Sequence, residues 1–104
     1  MASVLRKGDL YRAAIITGPR HALLCLKFAA SEVDVVEVVK LPPVDEHDHG
    51  EIDENKLVEV VTEVAGQYGL FVRYVEYVEK DTSSYDLYRR CARLIAEYMM
   101  AERA

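Results

Sequence analysis

With 104 residues, 51% of them apolar, and a net charge of −5, the chain carries enough hydrophobic material for one core and too little length for two. That composition excludes global disorder, and no apolar run approaches the ~20 residues that cross a bilayer. The acidic balance opposes wholesale coating of nucleic acid, because phosphate is repelled at long range.

Charge is unevenly placed. Met1 to Lys40 holds six Lys/Arg against four Asp/Glu, whereas Leu41 to Ala104 holds seven against fourteen. Asn55 and Gln67 are the only side-chain amides, and Glu, Arg, Val and Tyr are abundant. That bias matches heat-adapted proteins, which avoid thermolabile residues, and the expectation is a thermophilic source. The first nine residues, Met1 to Asp9, lack the apolar stretch of a secretory signal and are expected to form a flexible lead-in. The expected location is cytoplasmic.

Leu10 to Thr17 and Ala22 to Phe28 are apolar runs separated by Gly18-Pro19-Arg20-His21, a connection suited to an antiparallel hairpin. Val33 to Leu41 is dominated by β-branched valine and predicts a third strand, which Pro42-Pro43 ends because proline cannot donate to a ladder. Asp53 is placed to cap a helix in which Leu57, Val60, Val61, Val64 and Tyr68 recur along one stripe, with Gly66 or Gly69 closing it. Leu70 to Lys80 returns to strand character, with Phe71, Val75 and Tyr77 on one side and Val72, Tyr74 and Val78 on the other. Ser83 and Asp86 make a capping-box-like start to a last helix, where Leu87, Cys91, Leu94, Ile95, Tyr98 and Met99 repeat at helical spacing. The predicted fold is a single α+β domain over residues 1–104 in the order β-β-β-α-β-α. Its sheet is four-stranded and mainly antiparallel, two helices cover one face, and the helix-linked strands are able to lie parallel through a right-handed crossover.

Chemistry concentrates at one place, where Asp45-Glu46-His47-Asp48-His49-Gly50-Glu51 crowds four carboxylates and two of the three histidines into seven positions. His47 and His49 lie two apart, so in an extended loop both imidazoles reach one side, with Asp45 or Glu51 completing a nitrogen and oxygen set for a divalent transition metal. The bland alternative is a solvated acidic loop lying favourably ahead of a helix N-terminus. His47-Asp48-His49-Gly50 and the valine strand before it resemble the iron–molybdenum-cofactor-binding family, small ribonuclease-H-like proteins with a His-containing loop after three strands. That family's Gly-containing turn after the next strand is missing, since Val78-Glu79-Lys80-Asp81 stands there, so the assignment is not made. A nuclease reading is disfavoured, because Tyr11 to Thr17 offers no carboxylate for two-metal chemistry.

Arg89, Arg90 and Arg93, with Tyr85 and Tyr88 nearby, make a candidate basic and aromatic face for RNA or an acidic partner, against an ordinary helix face on which Asp86 and Glu97 pair with the arginines. Arg20 and His21 on the hairpin tip offer an anion contact or a plain turn. Cys25 and Cys91 read as two buried small hydrophobes or, in a hyperthermophile, as a disulfide. No glycine-rich phosphate loop and no nucleophile–base motif occurs. Tyr98, Met99 and Met100 exceed what one helix face needs, and aromatic and methionine side chains suit interface cores. The favoured expectation is therefore a non-enzymatic interaction or assembly module that acts as a homodimer, with the metal and RNA readings as alternatives.

Overall fold

The computed structural model describes residues 2–17, 20–42, 52–78 and 84–103. Among these residues five strands and two helices follow one another as β1 (Ala2–Lys7), β2 (Leu10–Thr17), β3 (Arg20–Ala29), β4 (Glu37–Leu41), α1 (Glu54–Gln67), β5 (Phe71–Val78) and α2 (Tyr85–Arg103). The sheet order is β1-β2-β3-β5-β4. Neighbouring strands are antiparallel except β4 and β5, which α1 connects in parallel. The fold is thus α+β, but the sheet is mixed and five-stranded rather than four-stranded and mainly antiparallel.

The added strand is the N-terminal stretch that had read as flexible. Lys7 pairs with Leu10 across Gly8-Asp9, and Gly8 takes φ +64°, as the first central residue of a tight two-residue hairpin turn requires. Every β1 residue from Ala2 to Lys7 then finds a partner on β2.

The valine-rich run is a strand over only part of its predicted length. β4 pairs from Glu37↔Tyr74 to Leu41↔Val78, so it lasts as long as β5 offers a regular edge. The edge is interrupted at Arg73. There the β3–β5 register steps from Lys27↔Tyr74 to Phe28↔Val72, leaving Arg73 as the extra residue of a bulge. Its guanidinium holds the irregularity in place, Nε donating to the Phe28 carbonyl at 3.1 Å and Nη2 to Asp9 at 2.6 Å. The bulge also corrects the predicted division of faces. Strict alternation put Val72 opposite Val75 and Tyr77, yet the extra residue brings all three onto the helix side and leaves Phe71 exposed.

α1 begins at the predicted cap, where the Asp53 carboxylate accepts from the Asn55 and Lys56 amides at 3.0 and 3.4 Å. It ends in a Schellman motif. The Leu70 amide donates to the Ala65 carbonyl at 2.9 Å and the Gly69 amide to that of Gly66 at 3.1 Å, with Gly69 left-handed at φ +72°. The buried stripe is Leu57, Val60, Val61, Val64 and Ala65, and Tyr68 is the C-cap. The predicted start of α2 at Ser83 lies outside the described residues. Its buried side is Leu87, Tyr88, Cys91, Ala92, Ile95 and Ala96, of which Tyr88, Ala92 and Ala96 fall outside the predicted repeat.

Both helices pack on one face of the sheet. Tyr11, Ala13 and Ile15 of β2, Ala22, Leu24 and Leu26 of β3, and Val72, Val75 and Tyr77 of β5 meet them in one continuous core. Side chains of alternate register, among them Arg12, Leu23, Cys25 and Glu76, occupy the opposite face.

Candidate interaction surface

β1 is an edge strand, and among the described residues no strand lies on its outer side. Five of its six residues are exposed and only Val4 is half-buried. Leu5 projects from the face without helices and keeps 48% of its surface in contact with solvent. Proteins commonly guard such an edge with charge, proline or a bulge. Here the only cations are Arg6 and Lys7 at the C-terminal end, and Arg6 is already engaged. Its Nε donates to the Gly8 carbonyl at 2.6 Å, Nη1 lies 3.2 Å from Glu102 Oε2, and the guanidinium sits 5.4 Å from the Tyr11 ring centroid.

Those contacts bind β1 to the end of α2. Glu102 Oε1 accepts from the Tyr11 hydroxyl at 3.1 Å, and the Tyr11 ring meets Tyr98 edge-on at 6.2 Å and Phe28 at 5.6 Å. Burial and then the bond to Glu102 push the Tyr11 hydroxyl above its ordinary pKa, so it remains a donor. Leu94, Tyr98 and Glu102 recur at four-residue spacing, so one flank of α2 looks toward β1. Of the proposed interface residues on this helix, Tyr98 is 36% exposed, while Met99 packs against the core. Met100, at 41%, is the more open methionine.

The helix-free face carries a second set of polar side chains. Arg12, Cys25 and Glu76 align across β2, β3 and β5, and Lys27, Tyr74 and Glu37 across β3, β5 and β4. Tyr74 donates to Glu76 at 2.7 Å, and Lys27 Nζ sits 4.9 Å from the Tyr74 ring centroid. The bond to Glu76, followed by burial, raises the Tyr74 hydroxyl to about 12. Cys25 is 2% exposed, and burial followed by the Glu76 charge pushes its thiol to about 12, which makes it a poor nucleophile at neutral pH. No disulfide joins it to Cys91, because Cys25 is on the helix-free face and Cys91 lies in the core under α2.

The three arginines do not form an uninterrupted basic face. Arg89 pairs with Glu63 of α1 at 3.8 Å, while Glu97, one turn beyond Arg93, accepts from the Tyr68 hydroxyl at 3.2 Å. Arg90 and Arg93 are exposed on the same helix as Asp86 and Glu97. His47, His49, Asp45 and Glu51 all lie outside the described residues. Among the described residues no cluster of three or more His, Cys, Asp or Glu side chains is arranged to hold a metal ion. Two shallow grooves flank Val36 beside α1; one, of about 260 Å³, is lined by Val33, Thr62, Leu70 and Phe71. Among the described residues no helix is long and apolar enough to cross a membrane.

Sequence reasoning missed β1, Arg6 and Glu102. The signal for the strand was the Gly8-Asp9 pair, a two-residue hairpin dipeptide between short runs. The Arg6–Glu102 contact spans nearly the whole chain and has no local signature. No protein-family description, curated protein or solved structure matches the chain.

Proposed function

We propose that this protein is a non-enzymatic interaction and assembly module whose working form is a homodimer. The observation that supports this reading is the β1 edge, a six-residue strand with no strand on its outer side among the described residues and its cations confined to one end. Main-chain donors and acceptors along such an edge are the recognition element in strand addition, and neighbouring side chains supply selectivity. The half-exposed Leu5 and Tyr98 flank the edge on the two faces of the sheet.

Sedimentation equilibrium and native mass spectrometry of tag-free protein, over concentrations up to about 100 μM, test the reading. A reversible monomer–dimer equilibrium is the expected result. A monomer throughout that range refutes it.

A further inference from the structure

We infer that two copies join through β1, antiparallel about a two-fold axis at Val4, to make one continuous ten-stranded sheet; this rests on the homodimer reading and specifies its interface. The symmetry follows from the geometry of strand pairing. A two-fold axis that relates adjacent antiparallel strands must stand perpendicular to the sheet, so it keeps each face on its own side. Paired residues therefore share a face, and the helices of both copies lie on the same side of the joined sheet.

The axis position follows from the residues. Centring on Val4 pairs Ala2 with Arg6 of the second copy and Ser3 with its Leu5, using five of the six strand positions. On the helix-free side each Leu5 then lies directly beside a serine and diagonally beside the other Leu5, within reach at about 7 to 8 Å. Each Val4 meets its counterpart on the helix side, between the two Tyr98 rings. Charge favours the same arrangement. Antiparallel pairing at Val4 separates the two Arg6 residues by about four strand positions, roughly 14 Å, which exceeds the screening length at physiological salt. Parallel pairing would set Arg6 against Arg6 and Lys7 against Lys7, and like charges directly opposed are destabilising.

Area sets the strength. A six-residue edge is about 20 Å long, and strand pairing alone buries well below the ~800 Å² per partner of a standard stable interface. The dimer is accordingly of the small, transient kind.

The test is a charge exchange at the paired positions Ser3 and Leu5. Both point away from the helices, and Leu5 is exposed, so the double variants Ser3→Glu/Leu5→Glu and Ser3→Lys/Leu5→Lys keep the core intact. In either homodimer, two like-charged pairs face each other across the seam, and dimer affinity is expected to fall about tenfold or more. An equimolar mixture restores opposite-charge pairs and yields a heterodimer, which native mass spectrometry separates from either homodimer by mass. Far-UV circular dichroism confirms that each variant is folded before it is weighed.

If the unaltered protein dimerises and both variants remain homodimers of unchanged affinity, the β1 interface is overturned while the homodimer reading stands. If both variants are folded monomers that the mixture does not bring together, the Val4-centred register is overturned. If the unaltered protein is monomeric, both readings fall.

Discussion

Leu23 and Leu24 are neighbours on β3 and identical in chemistry, so replacing each with alanine isolates the effect of the face on which it lies. Leu24 is 0% exposed, placed between Ala13 of β2 and Tyr77 of β5 under the helical layer. Leu24→Ala removes three buried carbons, which at about 0.8 kcal/mol each is close to 2.4 kcal/mol, and the cavity left behind raises the loss to about 3 to 4 kcal/mol. Leu23 is half-buried on the face without helices, beside Ala14. Its replacement is expected to cost about 1 kcal/mol or less, because only part of the side chain leaves water on folding. Strand preference is itself largely packing against neighbours, so the difference between the variants reports the face on which each leucine packs. Urea unfolding followed by circular dichroism measures both, with an unchanged slope and a lower midpoint expected for Leu24→Ala. For a domain of this size its melting temperature falls on the order of 15 °C. Equal losses at the two positions would refute the one-sided arrangement of the helices.

Three further outcomes follow from local geometry. Asp53→Ala leaves the Asn55 and Lys56 amides without their side-chain acceptor and is expected to lower stability by about 1 kcal/mol in the same urea assay. At Gly69 no heavy atom stands within 4 Å of an added Cβ, so Gly69→Ala costs only what φ +72° imposes on an alanine, about 1 kcal/mol or slightly more, and a loss near zero would contradict the left-handed cap. The folded chain holds the Cys25 and Tyr74 protons up to about 12, against ordinary values of 9.0 and 10.0, so the unfolded chain releases them first as pH rises. Their contribution is fully present below pH 9 and is lost as pH climbs toward 12, at up to about 1.4 kcal/mol per pH unit for Cys25 and less for the more solvated Tyr74. Urea titrations between pH 8 and pH 11 should show Cys25→Val flattening that decline.

The sequence by itself determined the elements whose information is local. Asp53, the Leu57–Val64 stripe and Gly69 define α1 from cap to close, since capping, amphipathic spacing and a left-handed glycine all act within a few residues. The β2–β3 hairpin was legible for the same reason, and so was the parallel pairing of the strands on either side of α1. Only the tertiary structure decided the rest. Val33, Val35 and Val36 have as much strand preference as Val38 and Val39, but a strand needs a partner, and β5 offers none beyond the bulge at Arg73. That bulge moved Val72 to the helix side, because one inserted residue inverts the alternation for all that precedes it. The corner built by Arg6, Tyr11, Tyr98 and Glu102 joins residues from opposite ends of the chain. No local pattern encodes such a contact; it exists because β1 and α2 fold onto the same border of the sheet.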